Sequence, residues 1–170
     1  MLGTRDVISS TIAREVAEEL GGPAEATIVG SKDKVAAPNA AFANAIQCYG
    51  LDFVDDHNES NAHPSPATFP ASMALSEMLH RSGKEYIEAV SLGNEVVCRM
   101  GTAYLGDMYY QGFHPTSTCG TMGAAVSAAK LMKLDEQKTI YAQGIAGSML
   151  ELALALAKGE EPAASLPLSD

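Results

Sequence analysis

The sequence predicts a mainly all-α domain, a helical bundle with at most one short β-hairpin. Apolar residues recur every four positions near the N-terminus, at Ile8, Ile12, Val16 and Leu20, which is the spacing of a helix face. β-branched residues flank a polar turn only in residues 26–36. With 170 residues and 46% hydrophobic content, the chain is long enough for one compact core.

The first two predicted elements are a helix and a hairpin. Residues 6–22 predict an amphipathic helix that Asp6 caps and that the Gly-Gly pair at its end stops. The polar turn in residues 26–36 predicts a short hairpin. Because period-two patterning occurs nowhere else, no other strand is expected.

Five further helices are predicted. They are expected to begin after a Pro38-Asn39 cap, at Thr68 to Pro70, at a Ser82 capping box with Glu85, after a loop over residues 106–116, and at an Asp135 cap. The first of the five is expected to continue to about residue 56. Glycines and alanines over residues 120–129 indicate a helix with close neighbours in the middle of the bundle. Residues 1–158 are predicted to form one helical domain, and the polar, Pro-rich residues 159–170 a flexible tail.

Composition excludes several classes of partner and site. The net charge of −10, from 11 Lys and Arg against 21 Asp and Glu, disfavours a nucleic-acid or anionic-membrane surface. Three cysteines without zinc or iron–sulfur spacing are typical of reduced thiols in a cytoplasmic protein. The N-terminus lacks the apolar core of a signal peptide, and no apolar stretch is long enough to span a bilayer.

Acids and histidines are densest in residues 52–63. This cluster holds Asp52, Asp55, Asp56, His57, Glu59 and His63. A second loop, GFHPT, carries His114. Both loops precede predicted helix starts, where backbone N–H groups favour bound anions. The two loops are therefore expected to converge on a pocket.

Other interpretations of these residues are simpler. An Asp-rich helix end is often a solvated surface. The cluster matches neither H-x-x-x-H nor H-E-x-x-H spacing, so no metal site is predicted. Gly120 and Gly123 lack the pattern of a phosphate-binding loop and are better explained by helix packing. No cofactor is predicted.

Several motifs follow one another along the chain: LDF at 51–53, HPS at 63–65, PASMALSE at 70–77, GFHPT at 112–116 and QGIAGS at 143–148. This series resembles the MmgE/PrpD family, which includes 2-methylcitrate dehydratase, cis-aconitate decarboxylase and iminodisuccinate epimerase. The resemblance implies an all-helical large domain interrupted by a smaller lid domain. Because it covers only the N-terminal part of the helical domain, we expect a split subunit, a truncated product or a fragment.

The resemblance also implies site residues. Asp52, His63 and His114 match catalytic positions of the family, and Asp56, His57 and Thr116 are expected to bind substrate. Two positions depart from the usual motif, because Val54 replaces an acid and Asp56 stands where threonine is common. The lysine and tyrosine that the family adds from its later sequence have no counterpart here.

The chemistry implied is proton transfer at a carbon next to a carboxylate, without a cofactor. Histidine suits this because its pKa lies near the working pH, and Asp52 is expected to orient a histidine. The leading prediction is dehydration of a small polycarboxylate such as 2-methylcitrate. Decarboxylation of cis-aconitate, epimerisation, and a non-catalytic subunit are the alternatives. A homo-oligomer or a complex with a lid-bearing polypeptide is expected.

Counter-charge for such a substrate is scarce in the sequence. No Lys or Arg lies between Lys34 and Arg81. The expected sources within the chain are protonated His63 and His114, helix N-termini, Arg81, Arg99 and Lys130.

Overall fold

The computed structural model of the chain describes residues 1–32, 34–104 and 107–158. Its helices are α1 (Ile8–Leu20), α2 (Ala37–Tyr49), α3 (Ser65–Met78), α4 (Gly83–Ala103), α5 (Asp107–Tyr110), α6 (Pro115–Leu131) and α7 (Glu136–Lys158). Short 3-10 turns lie at Leu2–Thr4 and Asn58–Ser60. The predicted mainly all-α class is confirmed. The tail predicted over 159–170 lies outside the described residues.

The predicted hairpin is present and shorter than expected. β1 (Ala26–Thr27) and β2 (Lys34–Val35) pair antiparallel, with Ala26 opposite Val35. Oε2 of Glu77, on α3, accepts hydrogen bonds from the Thr27 N–H at 3.2 Å and from its hydroxyl at 2.8 Å. The same carboxylate lies 3.0 Å from Nζ of Lys34. These contacts attach the hairpin to the helical core.

The helices pack around α6. It lies against α3, α4 and α7, while α2 packs on α3 and α1 packs on α2. α4 and α6 approach closely where Gly93 faces Gly123, because a Cβ added at Gly93 would lie 2.8 Å from the Gly123 carbonyl oxygen. The prediction that the small-residue helix has close neighbours in the bundle is therefore confirmed.

Two of the predicted helix caps are wrong. α1 begins at Ile8 after an N-cap at Val7, which makes no side-chain capping bond, and Asp6 lies one residue further out, with Oδ1 3.9 Å from Nε of Arg5. The Asn39 amide donates to the Gly21 carbonyl at 3.1 Å, so it binds the end of α1 and does not cap α2, whose N-cap is Ala36. The side chains of Asp6 and Asn39 therefore contact other residues and do not cap the helices for which the sequence pattern predicted them.

The third helix begins earlier than predicted. α3 starts at Ser65, with Pro66 in its first turn and Pro70 inside the helix. A proline in the first turn has the φ that a helix needs and lacks an N–H that would be unpaired there anyway, so Pro66 marks the start better than Pro70 does.

Two other predicted bounds are also wrong. α2 ends at Tyr49, short of residue 56, and the predicted loop at 106–116 contains α5.

The local capping signals are confirmed at the starts of α4 and α7. The Ser82 hydroxyl accepts from the Glu85 N–H at 3.3 Å, and the Glu85 carboxylate accepts from the Ser82 N–H at 2.9 Å. The Ser82 hydroxyl also donates to this carboxylate at 2.9 Å, and the two hydrogen bonds that the carboxylate accepts from Ser82 are the main reason that the Glu85 pKa falls to about 2. Oδ1 of Asp135 accepts from the Lys138 N–H at 2.8 Å.

The apolar stripe of α1 faces solvent. Ile8 is 77% exposed and Leu20 67%, whereas the buried face of this helix consists of Ser10, Ala13 and Ala17. The periodicity that predicted the helix therefore marks a face that the described residues leave uncovered. None of the described helices combines the length and apolar character needed to cross a bilayer.

Candidate functional site

His63 lies in the loop that leads into α3, with its side chain 28% exposed. Its Nδ1 is 2.8 Å from the backbone oxygen of Asp55 and 3.6 Å from Oδ1 of Asp56. Because a carbonyl oxygen only accepts hydrogen bonds, Nδ1 carries the proton in the contact with Asp55. In the neutral ring, Nε2 is then left with its lone pair and can accept a proton.

Thr116 joins the two histidine loops. The His63 N–H donates to Oγ1 of Thr116 at 3.0 Å, and Thr116 is buried in the first turn of α6, two positions after His114. The loops that carry His63 and His114 therefore meet where α3 and α6 begin. Helix N-termini carry partial positive charge, which suits a carboxylate ligand.

His114 is the N-cap of α6 and is exposed. Its Nδ1 accepts from the Ser117 N–H at 3.3 Å and lies 3.2 Å from the Ser117 hydroxyl oxygen. Since Nδ1 is the acceptor, the neutral His114 ring carries its proton on Nε2. His63 and His114 therefore hold opposite tautomers.

His57 performs a local structural task. Its Nδ1 accepts from the Ser60 N–H at 3.3 Å and lies 3.0 Å from the Ser60 hydroxyl oxygen. The backbone N–H of His57 donates to the Ala62 carbonyl oxygen at 3.0 Å. Ser60 is buried against α4, where a Cβ on Gly101 would lie 2.5 Å from the Ser60 Cβ. His57 thus caps the turn that precedes His63.

Asp52 faces Tyr49, a residue that the sequence analysis missed. Asp52 has a left-handed backbone, with φ of 53°, and its N–H donates to the Tyr49 carbonyl at 2.9 Å. The Tyr49 ring meets His63 edge to face, with ring centroids 5.7 Å apart. Burial raises the Tyr49 pKa, and the Asp52 charge and the hydrogen bond that the Asp52 carboxylate accepts from the Tyr49 hydroxyl raise it further. Tyr49 therefore stands between Asp52 and His63.

The Asp52→Asn variant is expected to lower the Tyr49 pKa. Without the negative charge, the tyrosinate loses its repulsion, while burial keeps the pKa above its ordinary value. NMR titration of tyrosines labelled with ¹³C at Cζ measures the shift, and Asp6→Asn is the matched control at a distant exposed acid. A Tyr49 pKa equal to that of the unchanged protein would contradict the contact.

The lysine and arginines expected to supply counter-charge are occupied elsewhere. Arg81 donates from Nε to the Leu131 carbonyl at 2.8 Å. The Arg99 Nε lies 2.6 Å from the Glu95 carboxylate. Lys130 Nζ lies 3.6 Å from Glu88. Of the predicted sources within the chain, the two histidines and the helix N-termini remain at the site.

Two cavities lie away from this cluster. One, of about 450 Å³, includes Glu85, Glu88 and Lys130 in its lining, and the other, of about 500 Å³, is lined in part by Glu25 and Arg81. The predicted site residues line neither. Among the residues with described side chains, no three His, Cys, Asp or Glu groups converge in a way that could hold a metal ion.

The chain resembles known proteins over most of its length. A family model for the MmgE/PrpD N-terminal domain matches residues 1–162. Human cis-aconitate decarboxylase is 34% identical over 143 residues, which cover 81% of this chain and 30% of that protein. The mouse cis-aconitate decarboxylase is 37% identical over 114 residues, or 64% of this chain and 23% of that protein.

A fungal protein shows the same partial coverage. A cis-aconitate decarboxylase-like protein of Aspergillus oryzae is 28% identical over 128 residues, which cover 71% of this chain and 27% of that protein. The chain therefore spans less than a third of the length of each of these three relatives.

Proposed function

The chain belongs to the MmgE/PrpD family, and we propose that it carries the proton-transferring residues of a lyase that acts on small polycarboxylates. The observation that carries this proposal is the setting of His63. Its Nδ1 donates to the Asp55 carbonyl at 2.8 Å, so its Nε2 is free to accept a proton from substrate carbon. The Asp56 carboxylate, 3.6 Å from Nδ1, pairs with the imidazolium that forms.

His114 is the proposed proton donor for a step in which His63 accepts a proton. Its Nδ1 accepts from the Ser117 N–H, so the neutral ring presents an N–H at Nε2. Thr116 connects the two histidine loops through the His63 N–H. One ring that offers a lone pair and another that offers a proton form the pair that acid–base catalysis at carbon requires.

Two reactions on polycarboxylates fit this pair. Decarboxylation of cis-aconitate breaks the bond to one carboxylate, releases carbon dioxide and adds a proton to carbon, so it needs a proton donor. His63 fills this role in its imidazolium form, which gives the Nε2 proton to carbon and returns to the neutral ring with its proton on Nδ1. Dehydration of 2-methylcitrate removes a proton from carbon and releases the hydroxyl, with a second proton, as water, so it needs an acceptor and a donor.

We place cis-aconitate decarboxylation first because the human and mouse relatives are named cis-aconitate decarboxylase and the fungal relative is named a cis-aconitate decarboxylase-like protein. The leading prediction from the sequence, dehydration of 2-methylcitrate, becomes the second candidate, since the same two histidines serve it. Neither reaction, as written, requires a cofactor, because only protons and a leaving group move.

We further propose that the chain works in an assembly, either with copies of itself or with a lid-bearing polypeptide. Two observations support this. Within the part of the chain that the structure describes, Arg81, Arg99 and Lys130 are all paired away from the site, so we expect another polypeptide segment to supply part of the counter-charge for the substrate carboxylates. Large apolar side chains are also exposed along α1, with Ile12 at 53% and Val16 at 40%, and association would cover them.

A substrate panel tests the proposed reaction. The chain alone, and the chain with a lid-bearing polypeptide, are incubated with cis-aconitate, 2-methylcitrate and citrate while light scattering gives the mass. We expect turnover of cis-aconitate by the assembled form and negligible turnover by the isolated monomer, because catalytic groups that act as a unit fail together. Efficient turnover by a monomer would contradict the assembly, and turnover of none of the three substrates in any form would contradict the proposed function.

A further inference from the structure

Asp55 contacts His63 through its backbone carbonyl and Ser65 through its side-chain carboxylate. Its carbonyl oxygen accepts from His63 Nδ1 at 2.8 Å. Its carboxylate accepts twice from Ser65, from the N–H at 3.2 Å and from the hydroxyl at 2.8 Å. The residue whose carbonyl accepts the hydrogen bond from His63 is therefore itself bound to the first residue of α3.

Asn94 extends the network to α4. Its Nδ2 donates to the Ser65 hydroxyl oxygen at 3.3 Å, and its Oδ1 accepts from the Thr68 hydroxyl. Ser65 has a single hydroxyl proton, which it gives to Asp55, so it receives the Asn94 N–H on a lone pair. Because Ser65 can only accept from Asn94, the Asn94 side chain must turn its NH₂ group towards Ser65 and its oxygen towards Thr68.

We propose that Asp55 is a positioning residue and that, with Ser65 and Asn94, it forms a clamp that keeps the proton of the neutral His63 ring on Nδ1. The physical step is simple. The Asp55 carbonyl is held in place by the contacts of the Asp55 carboxylate, and it stabilises only the tautomer of His63 with a proton on Nδ1. In the other tautomer, the carbonyl oxygen would face the lone pair of Nδ1, and two acceptors cannot form a hydrogen bond. The clamp thus preserves Nε2 as the acceptor.

This inference rests on the proposed function for its significance, because Nε2 matters only if His63 accepts a proton. The clamp itself can be measured without turnover. If the hydrogen bonds of Asp55, Ser65 and Asn94 only stabilised the loop, their loss would destabilise the loop and leave the His63 tautomer unchanged. The tautomer is therefore the readout that separates the two roles.

The experiment is ¹⁵N NMR of the histidine rings in the full chain, at a pH where the rings are neutral. In the unchanged protein we expect His63 mainly as Nδ1–H. In Ser65→Ala, the ratio of Nδ1–H to Nε2–H should fall by a factor of about 5, the effect of one hydrogen bond of ordinary strength. Ser65→Thr keeps a hydroxyl and should restore the ratio. Ser148→Ala removes an exposed hydroxyl bound to the Gly144 carbonyl and should change nothing.

Asn94→Asp provides a second variant if Ser65→Ala does not fold. It removes the donor to Ser65 and keeps an acceptor for Thr68, so a smaller shift in the same direction is expected. An unchanged His63 tautomer in whichever of these variants folds would overturn the clamp. A shifted tautomer with unchanged turnover in the assembled form would instead uphold the clamp and count against His63 as the base, so the two failures are distinguishable.

Discussion

His63→Asn is expected to lower kcat of the assembled lyase by a factor of about 10² to 10⁴, the usual contribution of a positioned general acid or base. The asparagine amide can still donate to the Asp55 carbonyl, which His63 contacts at 2.8 Å, so the loop should stay in place. It has no nitrogen that accepts a proton near neutral pH. The loss should therefore fall on kcat, with KM changed much less. Steady-state rates with cis-aconitate measure both constants.

His80→Asn is the matched control for this variant. His80 lines the cavity of about 500 Å³, away from the site, and its φ of 52° is a conformation that asparagine tolerates well. We expect kcat close to that of the unchanged protein. Equal kcat values for His63→Asn and the unchanged protein would remove His63 from the chemistry.

Gly123→Ala is expected to reduce the free energy of unfolding by about 3 kcal/mol, the upper part of the range for overpacking a core. A Cβ there would lie 2.5 Å from Cγ2 of Val97 and 2.7 Å from the carbonyl oxygen of Gly93. The valine methyl is buried and the carbonyl belongs to α4, so neither can move away cheaply. The two helices would have to separate. Urea denaturation followed by circular dichroism gives the change.

Gly144→Ala is the matched control for this variant, and we expect it to raise the free energy of unfolding. Gly144 lies inside α7, and a Cβ there meets nothing within 4 Å. Alanine should stabilise this helix by about 0.5–1 kcal/mol, because it restricts the unfolded chain and favours the helix. If both alanine variants changed stability equally, the close approach of α4 and α6 would not be what Gly123 permits.

Features set by a few adjacent residues could be predicted from the sequence. The capping box at Ser82 needs only Glu85, three positions on, and the hairpin at residues 26–36 needs only its own turn. Predictions failed where distant groups competed. Asn39 carries a good capping side chain, yet it donates to the Gly21 carbonyl. The periodicity of α1 predicted the helix, but it did not predict that Ser10 and Ala17 would lie on the buried face.

The candidate site shows the same division. The motifs pointed to His63 and His114 as residues to examine, but not to the groups that hold them. Asn94 is 29 positions from Ser65 and comes to it only because α3 and α4 pack together. The contact between Tyr49 and His63 likewise depends on how the end of α2 meets the start of α3. No periodicity or spacing encodes such contacts.

We infer that His63 moves a proton at substrate carbon. Proton NMR of cis-aconitate and 2-methylcitrate incubated in D₂O with the assembled protein, and in parallel with its His63→Asn variant, tests it most directly. We expect the unchanged protein to form product from cis-aconitate with deuterium at the newly protonated carbon, and the variant to form it at least about 10² times more slowly. Deuterated product at the same rate in both would contradict it.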